Sequence, residues 1–443
     1  MSTVDVTPVR LQEPVVAGGI RSVNFFNGRL LAGEDLTAEQ QTQRAERLAL
    51  GQGLGEGVAY GLEAYEDLAK SRRSSPVLTV EPGLAVSAAG QTLVLEQRID
   101  VSLVRDAVAT GDSAGGGLFA DCLTSTPGTF TSGAGVYVLT IGPASKPQGR
   151  APVSGQATGG APCAVDASLE GVQFRLVCVP GLDAEELGAS FRPRLRNHVA
   201  HRMFGTADPA RIAFRVNPFG DRVTSYGLLD VMRGEGLLTD AEVPIATLAW
   251  TDATGVQYVD LWSVRRRLNR RAESERVPER LPGRAALARP TLVGERARAE
   301  AEAIYLQFES EIEELRPFGG LEHVAAVDVF DYLPPVGLLP VRRTGSPVGF
   351  DPDVFFGAQG SRDGATIDAA LVPALVRAAI FDEPIAVDGR EQVQVYLVWE
   401  SELAVQAGAS RQAAVLFAKS TLPYRGTLRY GYARFGAGRA SRW

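Results

Sequence analysis

The sequence predicts an α+β fold with more strand than helix, and three observations support this. The 443 residues include 48 glycines and 26 prolines, which indicates many turns. Short segments rich in β-branched and aromatic residues recur, and the strongest lie at residues 135–141, 172–179 and 392–399. Residues 291–315 carry an apolar stripe at three- and four-residue spacing, which predicts the clearest helix of the chain.

A chain of this length is expected to fold as two or three domains. We expect four parts: an N-terminal arm at residues 1–20, a β-rich docking or shell domain with an inserted helix at 21–180, a central region with helices and a β-hairpin at 181–316, and a C-terminal α+β domain at 317–443. The arm either packs on a neighbouring subunit or is a frayed terminus. The last domain is expected to face a partner or a target.

Residues 23–41 organise the first domain. An aromatic segment leads into an Asn27-Gly28 turn, since both residues tolerate positive φ, and a polar helix follows with Glu34 and Asp35 in its first turn, where the helix dipole favours acids. The helix is expected to stop at Gly51-Gln52-Gly53. The strands predicted after it are residues 57–63, 77–87, 91–95 and 100–104, with 77–87 and 91–95 forming a hairpin around Ala88-Ala89-Gly90.

The middle of the chain alternates between glycine-rich segments and short regular elements. Residues 111–117 are expected to form a flexible linker, and residues 144–162 a long surface loop that is either disordered or a subunit contact. A helix that begins at residue 183 should kink or break at Arg192, because Pro193 follows. The remaining predictions are a basic amphipathic helix at 194–204, a short helix at 227–232 and a hairpin of 243–250 with 257–262.

The last third mixes prolines with apolar residues. Residues 264–271 are expected to be helical, 324–330 strand-like, and 333–341 irregular because prolines remove backbone donors. Residues 367–380 predict a helix that starts or is interrupted near Pro373, and residues 424–443 form a tail rich in Arg, Gly and Tyr.

Charge and cysteine content limit the classes of partner. The 45 basic and 52 acidic residues give a net charge of −7, so nothing draws the whole chain to nucleic acid or anionic membranes. Three cysteines (Cys122, Cys163 and Cys178) argue against a disulfide framework and predict buried thiols in a reducing compartment. Residues 1–20 lack a signal-peptide pattern, and no apolar run is long enough to span a membrane. We expect synthesis in the cytoplasm, and any later extracellular location to come with an assembly or by lysis.

Candidate catalytic and metal-binding residues are few. His198 and His201 share a helical face and could hold half of a metal site, but Arg196 and Arg202 disfavour a cation there, and His323 is expected to be structural. Ser113 lies in a Gly-x-Ser-x-Gly match that lacks the strand and helix of a nucleophile elbow, so a glycine linker is expected. Residues 53–57 resemble a phosphate loop, but they follow a helix rather than a strand.

Two acid pairs are candidates for acid–base chemistry on a glycan. Glu34 with Asp35, and Asp351 with Asp353, occupy a helix start and an Asp-Pro-Asp turn, where acids cap helices and form turns. We therefore expect no catalytic residue, no cofactor and no metal, and expect the chain not to be an enzyme.

The arginine cluster at residues 265–271 is the most prominent charge feature. On a helix, Arg266 and Arg270 would share one stripe. The cluster lacks the interleaved aromatic residues of a nucleic-acid surface, so pairing with acids is expected, either within the chain or between copies. The acids in question are Glu309, Glu311, Glu313 and Glu314.

Three motifs follow one another near the N-terminus: aromatic-Phe-x-Gly-x-x-Leu-x-x-x-Asp-Leu-x-x-Glu-Gln at 25–40, Gly-Val-x-x-Gly-Leu at 57–62, and Val-x-Pro-Gly-x-Ala-Val-x-x-x-Gly at 80–90. This order resembles a family of baseplate-peripheral, fibre or anchor components of phage-tail-like contractile injection systems. It is distantly similar to the N-terminal shell region of the type VI secretion baseplate adaptor. The resemblance covers about the first hundred residues.

The resemblance implies a structural, non-enzymatic component at the baseplate periphery. It implies a homo-oligomer, with a trimer as the first expectation, whose partners are baseplate proteins and a fibre, membrane anchor or cell-surface target, with no nucleic acid. The alternative is a receptor- or glycan-binding module of a tail fibre, whose aromatic surface would come from the loops near Phe355 and Tyr424.

Overall fold

The chain has an α+β fold with more strand than helix, as the sequence predicts. The computed structural model describes residues 24, 26–27, 32–73, 75–103, 135–152, 163–181, 192–209, 211, 225–251, 253–270, 295–341, 349–361, 366–389, 391–399 and 414–419.

The helices of the described residues are α1 Gly33–Leu54, α2 Arg192–Phe204, α3 Gly227–Gly234, α4 Glu295–Leu315, α5 Ala326–Val329, α6 Pro352–Phe356 and α7 Val372–Ala379. The strands are β1 Gly57–Gly61, β2 Ala64–Glu66, β3 Val77–Val80, β4 Gly83–Val86, β5 Thr92–Leu95, β6 Ile99–Ser102, β7 Gly135–Pro152, β8 Cys163–Cys178, β9 Val243–Thr251, β10 Gly255–Asp260, β11 Tyr332–Leu333, β12 Val336–Pro340, β13 Gly360–Ser361, β14 Thr366–Asp368, β15 Ile385–Ala386, β16 Val393–Trp399 and β17 Ala414–Lys419.

A four-stranded sheet in the order β10-β9-β7-β8 separates two apolar layers. Side chains alternate along a strand, so Leu139 and Ile141 of β7 face one layer while Val136 and Val138 face the other. The first layer joins the small sheets β1-β4-β5 and β2-β3-β6. The second holds α2 and α3. The predicted hairpin at 243–262 is thereby confirmed. It shares its sheet with β7 and β8, and its core with strands nearer the N-terminus.

A second body forms around the sheet β12-β17-β16-β13, with β14 beside β16. One face carries an aromatic cluster to which α4 contributes Phe308; its other members are Phe330, Phe350, Phe355, Phe356 and Phe417. Helix α7 packs on the opposite face through Leu375 and Val376. Helix α4 also contacts α2, where Ile304 packs against Phe204 and Tyr332, so it connects the two bodies.

Two predictions in the first domain were wrong in detail. Helix α1 does not stop at Gly51 but continues to Leu54, since Gly51 packs directly on the turn at Gly90 and has a packing role inside the helix. The predicted strand at 77–87 is two strands, β3 and β4, in different sheets. The break falls at Pro82, which has no N–H for a continuous ladder. The hairpin of β4 with β5 is confirmed.

The predicted loop at 144–162 was also wrong where the structure describes it. Strand β7 continues to Pro152, and β8 begins at Cys163, so that Ala144 to Pro152 form ladder pairs with β8. Residues 264–271 are not helical where described: they run beside β1 and α1, with bridges Glu56 to Asn269 and Val58 to Arg267. Pairing with a distant strand overrides the local preference in both segments.

Three corrections concern the last third. Residues 326–329 form helix α5 rather than a strand. The proline-rich 333–341 segment contains β12, an edge strand in which Pro340 is the last residue, a position that tolerates proline. Residues 367–368 belong to β14 rather than to the helix predicted at 367–380, which begins at Val372. The predicted alternative of a start near Pro373 is thereby confirmed, since Pro373 lies in the first turn.

Pro193 likewise lies in the first turn of α2, which begins at Arg192. Cys178 is exposed, so the prediction of a buried thiol was wrong at this residue. The following predictions lie outside the described residues: the arm 1–20, the linker 111–117, the helix at 183–187, Cys122 and the tail 424–443. The predicted domain boundaries stay predictions.

Candidate functional site

Helix α1 is unusually exposed for its length. It has 22 residues, of which only Thr42 and Gly51 are buried. The helix is attached to the body at its C-terminal end, where a Cβ at Gly51 would overlap the carbonyl of Gly90 and Gln52 Nε2 donates to the carbonyl of Ala89 at 3.3 Å. A helix without a buried face gains little from packing on its own chain, which is typical of a helix that meets another partner.

A two-stranded ribbon lies beside α1. Strand β7 pairs with β9 only as far as Ile141, so among the described strands residues 142–152 and 163–173 pair only with each other. Arg44 Nη2 of α1 lies 2.6 Å from Glu170 Oε1 of this ribbon, with both side chains mostly exposed. We call α1 and these two ranges together the α1–ribbon surface. An isolated two-stranded ribbon is marginally stable in water, so this surface is suited to a partner.

A buried polar cluster lies between α2, α4 and the end of β10. Arg196 donates to Glu314 Oε2 at 2.6 Å, to Ser310 Oγ at 2.9 Å and to Asp260 Oδ1 at 3.3 Å. Gln307 Nε2 donates to Asp260 Oδ2 at 2.9 Å, and the Tyr332 hydroxyl donates to Gln307. We call this set the Arg196 cluster, and it joins elements of both bodies.

Glu311 is the most perturbed acid of the Arg196 cluster. Its carboxylate is 1% exposed and accepts from Asn197 Nδ2 at 3.0 Å and from Gln307 Nε2 at 3.2 Å. Burial and the charges of Asp260 and Glu314 raise the pKa of Glu311 to about 8, while Arg196 opposes the shift. Burial lowers the pKa of Arg196, but its three acidic neighbours outweigh burial and raise it overall. Glu311 therefore holds its proton to a higher pH than an exposed glutamate does.

A second ionic group surrounds a cavity of about 310 Å³ near α3 and the start of α4. Arg296 donates to Glu300 Oε1 at 2.9 Å and to Asp230 Oδ2 at 2.8 Å, and Tyr226 OH donates to Glu300 Oε2 at 2.7 Å. Burial opposes ionisation of Glu300, but Arg296 and Arg266 outweigh it and lower its pKa. The charged side chains around this cavity pair with one another, as expected of a network that stabilises the fold.

His198 and His201, the predicted histidine pair, have different partners and do not form a common site. His198 Nδ1 lies 2.6 Å from Asp331 Oδ2, whereas His201 contacts Thr206. Hydrogen bonding to His198 lowers the pKa of Asp331, and burial lowers the pKa of His201. Over the described part of the chain, no group of three or more His, Cys, Asp or Glu residues could hold a metal ion. His323 is highly exposed.

The acid pairs act as the sequence predicts. Asp35 Oδ2 accepts from the N–H of Ala32 at 3.2 Å, and Asp351 Oδ1 accepts from the N–H of Asp353 at 2.8 Å, so both cap helices. Glu34 is exposed. Ser113 lies outside the described residues.

Residues 53–57, the loop that resembles a phosphate loop, have a packing role. Gly55 and Gly57 have positive φ, and a Cβ at either would overlap the backbone of residues 266–270. These glycines let the arginine segment approach the start of β1.

The arginines do pair with α4, but with other acids than predicted. Arg267 pairs with Glu302 at 3.0 Å, and Arg270 Nε donates to Glu295 Oε1 at 2.9 Å. Arg265 instead donates to the carbonyls of Gly61 and Leu62. Arg266 is bonded to backbone carbonyls and lies over the Phe204 ring at 4.4 Å. Burial lowers the pKa of Arg266 to about 10.

Phe355 was expected near an exposed aromatic surface, but it is 2% exposed, within the aromatic cluster. Tyr424 lies outside the described residues.

None of the sequence patterns described above predicts the Arg196 cluster. A signal was present, because Glu300, Gln307 and Glu311 interrupt the apolar side of α4 at helical spacing. Polar residues within an apolar stripe indicate buried partners.

No protein-family model matches the chain, and no curated protein matches it. Within the described ranges, the structure contains no helix whose length and apolar character would let it cross a membrane.

Proposed function

We propose that this chain is a non-enzymatic structural component of a phage-tail-like contractile injection system. Its place is the baseplate periphery, where it links the baseplate to fibres, an anchor or a target surface. The observation that carries the proposal is the α1–ribbon surface: a 22-residue helix with two buried residues, beside a ribbon that has no other pairing partner in the described part of the chain. Such elements become stable through contact with other subunits.

The position of the N-terminal motif supports this role. The motif that resembles the contractile-system family runs from residue 25 to 40 and ends inside α1. Leu36 of the motif is 51% exposed, and Gln40 is exposed as well. Motif residues that leave the chain's own core untouched are suited to contacts with neighbouring proteins.

The buried networks support a rigid linking role. The Arg196 cluster connects α2 and β10 with α4 and β11, so the two bodies share buried hydrogen bonds as well as apolar contacts. Removing one partner would leave buried charge uncompensated, which opposes relative motion of the bodies. A component that transmits position from a baseplate to a peripheral structure benefits from such rigidity.

The partners that we propose are a second and third copy of the chain, baseplate proteins, and a fibre, anchor or target surface. The net charge of −7 supports protein partners over nucleic acid. The chain would be made in the cytoplasm and would reach the outside of the cell as part of an assembled particle or by lysis. The alternative function, a receptor- or glycan-binding module, loses one of its supports because Phe355 is buried.

The proposal is tested by co-sedimentation. A tagged full-length chain is produced in cells that assemble sheathed, contractile particles, and the particles are separated on a density gradient. The tag is expected in the particle fraction, and gold labelling is expected at one end of the particle. A chain that stays entirely in the unassembled fraction would contradict the proposal.

A further inference from the structure

Helix α1 carries an exposed stripe with heptad spacing. The stripe consists of Leu36, Gln40, Gln43, Arg47, Leu50 and Leu54, whose separations alternate between four and three residues. All six side chains are exposed, and the three leucines are 51%, 68% and 55% exposed. This alternation is that of the a and d positions of a coiled coil, with Leu36, Gln43 and Leu50 at d.

We propose that α1 is a self-association helix, which forms a parallel coiled coil with α1 of a second copy of this chain. The inference rests on the homo-oligomer part of the proposed function and names the surface that would form it. A heptad stripe is complementary to another heptad stripe, because each a or d side chain inserts between four residues of the facing helix. Burial of the leucines would supply the driving force.

Charges beside the stripe favour a second copy in the parallel orientation. Glu39 occupies a g position, and Arg44 occupies the e position that follows it. In a parallel pair the g residue of one helix lies beside the next e residue of the other, so Glu39 meets Arg44 of the second copy. In an antiparallel pair the g residues face each other, and Glu39 would approach Glu46 of the second copy. Like charges would destabilise that arrangement.

The existing contacts of α1 leave this stripe open. Gly51, at an e position, is covered by the Gly90 turn, yet Leu50 and Leu54 on either side of it remain exposed. Arg44 pairs with Glu170 through two mostly exposed side chains. Exposed ion pairs contribute little stability, so Arg44 can exchange this partner for Glu39 of a second copy.

The polar residues in the middle of the stripe limit its strength. Gln40, Gln43 and Arg47 replace apolar residues at central a and d positions, which costs stability but fixes register. We therefore expect association that depends on protein concentration and on the two leucine-bearing ends of the stripe.

Disulfide trapping tests the orientation. Gln43→Cys places a thiol at a d position, and Gln41→Cys places one on the opposite side of the same helix. After mild oxidation of the full chain, Gln43→Cys is expected to give a covalent dimer on a non-reducing gel. Gln41→Cys and the unmodified chain, which controls for the natural cysteines, are expected to give none. Equal cross-linking of the two variants would overturn the inference.

Mass in solution tests the surface. Leu36→Glu with Leu50→Glu is expected to reduce the mass measured by light scattering to the 47.2 kDa of one chain. Gln41→Glu with Ala45→Glu adds the same charge to the opposite, exposed face and is expected to keep the oligomer. Circular dichroism establishes that both variants fold.

The outcomes separate this inference from the proposed function. An oligomer that persists in the leucine variant overturns the self-association helix and leaves a homo-oligomeric component in place. A native chain that stays monomeric at all concentrations overturns both the helix and the homo-oligomer. Association through α1 without co-sedimentation with contractile particles keeps the inference and contradicts the proposed function.

Discussion

Replacing Glu311 by Gln should change how stability depends on pH. Glu311 is 1% exposed and accepts one hydrogen bond on each carboxylate oxygen, from Asn197 and Gln307. Its pKa of about 8 in the folded chain lies above the ordinary value of 4.5 that holds in the unfolded chain. Between these two values the folded state holds one more proton than the unfolded state.

The sign and size of the effect follow from this difference. The contribution of Glu311 to the free energy of unfolding is complete below pH 4.5 and is lost as pH rises through 8. At about 1.4 kcal/mol per pH unit, the loss between pH 5 and pH 8 is about 3 kcal/mol. The amide of Gln does not titrate, so the variant lacks this loss. Its NH₂ group faces a donor, which costs about 1–2 kcal/mol at every pH.

Urea unfolding at pH 5, 6, 7 and 8 measures the difference between Glu311→Gln and the native chain. We expect the variant to be less stable at pH 5 and more stable at pH 8. Glu313→Gln is the control on the same helix, because the Glu313 side chain is 62% exposed, and its profile should run parallel to that of the native chain. Parallel profiles for Glu311→Gln as well would refute a raised pKa at this residue.

Two further predictions concern stability and are measured by urea unfolding at pH 7. Arg196→Ala should lower the free energy of unfolding by about 3–5 kcal/mol, because Asp260 and Glu314 lose their buried partner, whereas Arg202→Ala, at a more exposed site, should cost less than about 1 kcal/mol. A similar cost for both variants would show that the Arg196 cluster has no special role. Gly53→Ala should stabilise α1 by about 0.5–1 kcal/mol, since nothing lies within 4 Å of a Cβ there. Gly51→Ala should destabilise it, because its Cβ would overlap the carbonyl of Gly90; stabilisation by both alanines would mean that α1 does not pack on that turn.

The sequence predicts those helices and strands whose apolar pattern matches their burial in the fold. Strands β9 and β10 are apolar or alternate between apolar and polar residues, on either side of a turn signal at 251–255. Helix α4 carries an apolar stripe at helical spacing. The sequence therefore predicts both the hairpin and the helix. Residues 144–152 have the local composition of a loop, and only their ladder with residues 163–171 makes them a strand. Such pairing is a tertiary effect that a local pattern does not show.

Tertiary contacts likewise explain why the candidate site is only partly predictable from the sequence. The motif that leads into α1 is visible in the sequence. The exposure of nearly the whole helix is not, because it depends on which other parts of the folded chain pack against the helix. The partners of Arg196 lie far from it in sequence, at Asp260 and Glu314. Charge composition alone suggested that Glu309, Glu311, Glu313 and Glu314 would meet the 265–271 arginines. The fold instead pairs these arginines with other acids of α4, Glu295 and Glu302, and places Glu311 and Glu314 beside Arg196.

The most direct test of the central claim is an electron cryomicroscopy map of a contractile particle assembled with this chain. We expect density for the chain at the baseplate periphery, with α1 and residues 142–152 and 163–173 covered by neighbouring subunits. A map in which the chain occupies no position in the particle would contradict the account, and so would one in which α1 and the ribbon both face solvent.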